Sequence, residues 1–134
     1  MLPNRLLLTT FIVIYSTNAK LSDDIMEEWN HVVSRYATEC IEESGVNPVY
    51  AANIFNGRLL HDEEHIHCFI KCLNVKYGIL SSSGVYDVDV WVKTTPHVTP
   101  EIANRCLKKH ENEVDLCKKS YRLGLCVTEN NYSQ

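Results

Sequence analysis

The chain carries at residues 62–78 the segment DEEHIHCFIKCLNVKYG, in which Cys68 and Cys72 stand four positions apart. Apolar side chains recur there at spacings of three and four, the period of an amphipathic α-helix; they are Ile66, Phe69, Ile70, Leu73 and Tyr77. Acidic residues at the start and Gly78 at the end suit the two ends of a helix. The segment is therefore predicted to be one helix, with both cysteines on one face.

These two cysteines restrict the disulfides that can form. Both side chains lean over the preceding turn, so a Cys68–Cys72 bond would be strained, and each is expected to pair with a different helix. The remaining cysteines are Cys40, Cys106, Cys117 and Cys126. Cys117 and Cys126 would be about 13 Å apart along one predicted helix and cannot pair with each other. Several connectivities remain open after these two exclusions.

Start and stop signals on both sides of this segment predict further helices. Ser22 is a good N-cap, Asn47-Pro48 and Thr99-Pro100 are typical openings, and Ser44-Gly45 is a typical end. The predicted helices cover about residues 22–43, 48–55, 62–77, 87–93, 99–107 and 114–126, and a short polar tail follows. The predicted fold class is all-α, with six short helices.

The segment around residues 87–93 has two interpretations. Val85, Val88, Val90 and Val92 are β-branched and alternate along the chain, which would also suit a strand. A helix is favoured because the sequence offers no partner strand elsewhere.

The N-terminus has the pattern of a secretory signal peptide. Arg5 is followed by an apolar run over residues 6–15 and by the small residue Ala19, so residues 1–19 are predicted to be removed. The alternative is a membrane anchor, but ten residues of helix span only about half of a bilayer core. The mature domain is then residues 20–134, secreted and with no membrane insertion. All six cysteines lie in it, and an even count in a secreted chain predicts disulfides.

Charge and motifs exclude several classes of function. The net charge is −4, and acidic and basic residues are interspersed without a basic stripe, so nucleic acid is not an expected partner. His61 to His65 match the H-x-x-E-H pattern of a zinc peptidase, but Asp62 is expected to cap the helix and leave His61 outside it. We therefore expect no enzyme, no metal and no cofactor. His61, His65, His67 and His97 are either ordinary surface residues or pH-sensitive groups near a ligand site.

The cysteine spacing resembles one family closely. Three residues separate the second and third cysteines and eight separate the fifth and sixth, as in the six-cysteine signature of the insect pheromone-binding and general odorant-binding proteins. Tyr77-Gly78 and Cys117-Lys-Lys-Ser-Tyr121 are similar to the family as well. The likeness covers the whole mature chain.

The resemblance implies a fold, a disulfide pattern and a function. The family's pairing, carried over, gives Cys40–Cys72, Cys68–Cys117 and Cys106–Cys126, which staple six helices around an apolar internal cavity. The implied function is a carrier that binds small hydrophobic volatile odorants or pheromones and transports them through sensory lymph to odorant receptors. The resemblance also permits a homodimer. Two alternatives remain: the same carrier in saliva, venom or seminal fluid, and a disulfide-rich effector that binds protein.

Candidate ligand-binding residues come from two sources. Offsets from the cysteines within the family favour Val33, Ile70, Asn74, Ala103, Leu107, Gly124 and Val127. Helical periodicity adds Tyr36, Leu73, Tyr77, Val88, Trp91 and Leu123. Each of them could equally be ordinary core. A chamber of roughly 300–500 Å³ is expected from the usual size of ligand pockets.

Overall fold

The computed structural model describes residues 19–56 and 62–133. The predicted signal peptide, apart from Ala19, lies outside the described residues, and so does His61. The described ranges contain seven helices and no strand; two isolated β-bridges join Lys20 to Ser133 and Leu80 to Tyr86. The helices are α1 Asp23–Ser34, α2 Ala37–Ser44, α3 Pro48–Ala52, α4 Glu64–Lys76, α5 Val88–Thr94, α6 Pro100–Lys109 and α7 Leu116–Glu129. The prediction of an all-α fold is confirmed.

Side-chain caps explain where most of these helices begin. The hydroxyl of Thr99 accepts a hydrogen bond from the backbone N–H of Ile102 at 3.1 Å, and Pro100 follows it at the first helical position. The carboxylate of Asp87 accepts one from the N–H of Val90 at 3.1 Å. Residues 88–94 are therefore a helix, despite their β-branched composition, because the cap and packing override a weak propensity.

The first predicted helix is in fact two helices. The chain leaves helical geometry at Tyr36, whose backbone has φ −120° and ψ 13°, and α2 starts at Ala37. The Cys40–Cys72 disulfide joins α2 to α4, and α1 and α2 must separate for both to cover the core. No local signal marks this break, so the prediction of one helix over 22–43 is wrong.

Other boundaries differ by a few residues. α3 ends at Ala52 instead of Phe55, and α7 continues past Cys126 to Glu129. Glu63 occupies the N-cap position of α4, so Asp62 does not have the predicted capping role. Its carboxylate lies 2.7 Å from the ring of His67 instead.

Three disulfides hold the helices together. Cys40 pairs with Cys72, Cys68 with Cys117, and Cys106 with Cys126, which are the pairs that the family resemblance implies. α4 is thereby joined to α2 on one side and to α7 on the other, and α6 is joined to α7. The strongest helix–helix packing is between α4 and α7, so this pair forms the centre of the fold.

The buried side chains form two hydrophobic clusters. The first cluster is centred on Trp29, Trp91, Ala103, Leu123 and Val127. The second cluster contains the side chains around the Cys40–Cys72 disulfide; they include Val46, Ile54, Ile66, Phe69, Leu73 and Tyr121. α7 contributes to both clusters, and the space between them is not completely filled. Among the described residues, no helix is long and apolar enough to cross a membrane.

Candidate functional site

A cavity of about 100 Å³ lies between the two clusters. Its walls come from α1, α4, α5 and α7 and from the connections that follow α3, α4 and α5. The lining residues are Trp29, Val32, Val33, Ile54, Phe55, Ile70, Leu73, Asn74, Tyr77, Ile79, Trp91, Thr95, Ser120, Leu123, Gly124, Val127 and Thr128. The volume is smaller than the roughly 300–500 Å³ expected for a ligand pocket.

The walls are held in place by specific contacts. The rings of Trp29 and Phe55 are 5.3 Å apart, centroid to centroid. The Trp29 indole N–H donates to the carbonyl of Pro96 at 2.8 Å, which fixes the connection that carries Thr95. The hydroxyl of Tyr77 donates to the carbonyl of Val32 at 2.6 Å and links α4 to α1. An apolar space with walls anchored in this way is preformed for an apolar molecule.

The part of the cavity wall that residues 19–56 and 62–133 form carries no charge, since it contains no Asp, Glu, Lys, Arg or His. Tyr77 is the titratable lining residue among these; burial raises the pKa of its hydroxyl, an effect that Arg35 partly offsets, so this group is neutral at physiological pH. An ionic ligand would have to be buried here without a partner, which is costly. The site therefore suits an uncharged ligand.

Nine of the thirteen predicted ligand-binding residues line this cavity. They are Val33, Ile70, Leu73, Asn74, Tyr77, Trp91, Leu123, Gly124 and Val127. Eight of them lie on α1, α4, α5 and α7, and the ninth, Tyr77, directly follows α4. Whether they bind ligand remains a prediction.

The other four predicted residues lie elsewhere. Tyr36 packs edge-to-face on Tyr77 at 4.9 Å and lines a separate cleft at the surface, not the cavity. Val88, Ala103 and Leu107 pack in the first cluster. Ala103 and Leu107 lie on α6, which packs against α5 and α7, and those two helices present residues to the cavity. Val88 is the first residue of α5 and packs in the first cluster instead. The prediction that these four residues line it is not supported by the structure.

Eight lining residues were not predicted. They are Trp29, Val32, Ile54, Phe55, Ile79, Thr95, Ser120 and Thr128. Trp29 belongs to the apolar stripe of the first predicted helix and could have been chosen. Ile79 and Thr95 lie in connections, where periodicity predicts no facing direction. Ile54 and Phe55 were placed in a predicted helix but follow the end of α3 at Ala52. Ser120 does not belong to the apolar stripe of the last predicted helix, and Thr128 lies beyond the predicted end of that helix at Cys126.

The described histidines lie outside the cavity lining. His67 pairs with Asp62 and its ring lies 4.4 Å from that of Tyr121. His65 is exposed and 3.7 Å from Glu63, and His97 is 3.3 Å from Glu28. Their proposed role as pH-sensitive groups at the ligand site thus has no direct contact to support it. Within the described ranges, the one group with metal-ligand geometry is Cys40, Glu43 and Cys72, and both of its sulfurs are in a disulfide.

The fold and the site together define a class: a small helical protein, stapled by three disulfides, with a cavity whose described lining is largely apolar and uncharged. Comparison with known proteins indicates the same class of protein. The PBP/GOBP family matches residues 22–130, and the chain belongs to this family of insect pheromone-binding and general odorant-binding proteins, which are carriers and not enzymes. It is 28% identical over 108 residues to general odorant-binding protein 57c of Drosophila melanogaster, covering 78% of this chain and 72% of that protein. No solved structure matches it significantly.

Proposed function

We propose that the protein is a secreted carrier that binds small hydrophobic odorants or pheromones in this cavity and transports them through sensory lymph to receptors. The observation that carries the proposal is a largely apolar cavity lined by side chains of four helices, with no charged group among the described lining residues. Membership of a family of small-ligand carriers supports the same function.

The size of the cavity limits the ligand. An engineered apolar cavity of about 150 Å³ in another protein binds benzene, so a cavity of about 100 Å³ favours molecules with one ring or a short chain. Burying roughly 200 Å² of apolar surface would gain about 5 kcal/mol, equivalent to a Kd of about 0.2 mM before other terms. Weak, reversible binding of this order suits a carrier that must release its ligand.

Truncation of a wall residue tests the site. We expect Ile70→Ala to weaken binding of fluorobenzene by about three- to tenfold, because the ligand loses dispersion contacts with the wall. Leu107→Ala is the matched control: it removes a half-buried aliphatic side chain that packs in the first cluster and not in the cavity. The measurement is a titration followed by the fluorine NMR line width, with circular dichroism to check the fold.

Two results would contradict the proposal. If wild-type protein does not bind fluorobenzene or any similar small apolar molecule saturably, the chain is not a carrier of this class. If both variants weaken binding equally, the ligand site is not this cavity.

A further inference from the structure

The surface cleft that Tyr36 lines collects basic side chains, although the chain as a whole has a net charge of −4. The cleft has a volume of about 520 Å³, and its basic lining residues are His31, Arg35, Lys76 and Lys93. They come from the C-terminal ends of α1, α4 and α5. Within the described ranges, its lining contains no Asp or Glu. We call it the cationic cleft.

Two of the positive charges in the cationic cleft have no acidic partner among the described residues. Lys76 Nζ lies 2.9 Å from a carboxylate oxygen of Glu39 and is neutralised by it. Arg35 and Lys93 are exposed and form no ion pair with a described carboxylate. A cleft lined by charges of one sign raises the local concentration of counter-ions, so these two groups are available to an anionic ligand.

Two tyrosine rings hold the guanidinium group of Arg35. Its Cζ lies 5.3 Å from the ring centroid of Tyr36 and 6.0 Å from that of Tyr77, distances typical of a cation–π contact. Tyr77 is held in turn, because its hydroxyl donates to the carbonyl of Val32. A cation–π contact does not use the guanidinium N–H groups, and a guanidinium can bind a phosphate oxyanion through two parallel hydrogen bonds.

The helix ends give a second reason for basic residues at this place. The C-terminus of a helix carries partial negative charge, and a cation in the last turn stabilises it. Lys76 and Lys93 lie in the last turns of α4 and α5, and Arg35 is the C-cap residue of α1. This role contributes to the stability of the fold and gives no affinity for an anion, so separate measurements of stability and affinity distinguish the two roles.

The size of the cationic cleft favours a small molecule over a protein surface. Its volume of about 520 Å³ lies within the range of roughly 300–1,000 Å³ that is usual for ligand pockets. A stable protein interface needs about 20–30 residues on each side, whereas eight described residues line this cleft. The rings of Tyr36 and Tyr77 add apolar surface beside the charges, which suits an organic anion better than a bare inorganic ion.

We propose that the cationic cleft is a second binding site, which takes a small organic dianion of the phosphate monoester type. A phosphate monoester has a charge of about −1.5 to −2 at pH 7 and three strong acceptor oxygens, which matches the unpaired charges of Arg35 and Lys93. Val32 and Tyr77 line both this cleft and the cavity, and a hydrogen bond of 2.6 Å joins them. Because this shared wall separates the two spaces, both sites can be occupied at the same time.

Phenyl phosphate tests the proposal, with inorganic phosphate as the comparison that lacks the ring. We expect saturable binding of phenyl phosphate to the wild-type protein in phosphorus NMR titrations at low ionic strength, and weaker binding of inorganic phosphate. The double variant Arg35→Gln, Lys93→Gln is expected to lower the affinity for phenyl phosphate about tenfold or more, because it removes both unpaired charges. Fluorobenzene binding should not change when phenyl phosphate is added.

Lys109→Gln, Arg122→Gln is the matched control. It removes the same charge from two exposed residues that line neither the cleft nor the cavity. Since salt screens exposed charges beyond about 10 Å at 0.1 M ionic strength, phenyl phosphate affinity should stay close to the wild-type value. Urea denaturation of both double variants measures the contribution of the basic residues to stability.

Four results would overturn the inference. Equal loss of affinity in both double variants would mean that phenyl phosphate responds to net charge alone. Lower stability of the cleft variant with unchanged affinity would assign Arg35 and Lys93 to the helix ends only. Equal binding of inorganic phosphate would make the free ion the ligand, and displacement of fluorobenzene would place the phenyl ring in the cavity. The proposed function is tested separately, by the binding of fluorobenzene in the absence of phosphate.

Discussion

Val127→Trp is expected to abolish ligand binding, with an affinity for fluorobenzene that falls about 100-fold or more because the ligand loses most of its transfer free energy. Val127 lies on α7, is 4% exposed and lines the cavity. An indole at this position would occupy the space that the ligand needs. The measurement is the same fluorine NMR titration.

The folded state should tolerate this substitution. Filling a void of about 100 Å³ recovers about 2 kcal/mol at the cost usually assigned to cavity volume, and overpacking costs typically about 1–3 kcal/mol. The two effects nearly cancel, so the free energy of unfolding is expected to stay close to the wild-type value.

Two comparisons make the result specific. Leu107→Trp places the same bulk in the first cluster, away from the cavity, and should retain binding if the variant folds. Val127→Ala enlarges the cavity and should retain binding of ligands that are larger than fluorobenzene. Native-like Val127→Trp with unchanged affinity would show that ligands do not enter this cavity.

The double variant Cys68→Ala, Cys117→Ala is expected to lower the free energy of unfolding by about 4 kcal/mol, the largest loss expected for any one of the three disulfides. The two cysteines are 49 residues apart, so their bond restricts the unfolded chain more than a bond between nearer residues would. Both cysteines are only partly buried, so their replacement by alanine leaves little void. The effect should therefore report the loss of the cross-link itself.

Denaturation by urea measures this loss. Lys71→Ala, Lys118→Ala is the control, since it changes neighbouring positions on the same two helices, and surface substitutions of this kind are usually worth less than about 0.5 kcal/mol. α4 and α7 both line the cavity, so ligand affinity should fall together with stability in the cysteine variant. If the cysteine variant loses less than about 1 kcal/mol in the free energy of unfolding, the unfolded chain is restrained by other means than this disulfide.

Features that depend on a few neighbouring residues were predictable from the sequence. Thr99-Pro100 opens α6 and Ser22 caps α1 as predicted, because a cap needs only a side-chain oxygen within three residues of an unpaired N–H. The apolar stripe of α4 was predictable because its period is a property of a single helix. The exclusion of a Cys68–Cys72 bond has the same local origin.

The break at Tyr36 and the outline of the cavity were decided by tertiary structure. Leu107 and Leu123 both belong to apolar helical stripes, yet only Leu123 reaches the cavity. Periodicity shows that a side chain faces inward, but a cavity lies where the faces of several helices fail to fill the space between them. That depends on how α1, α4, α5 and α7 are placed relative to one another, which no single segment encodes. The placement also brings the hydroxyl groups of Ser120 and Tyr86 to 2.7 Å from each other, and this contact between distant parts of the chain could be found only in the folded protein.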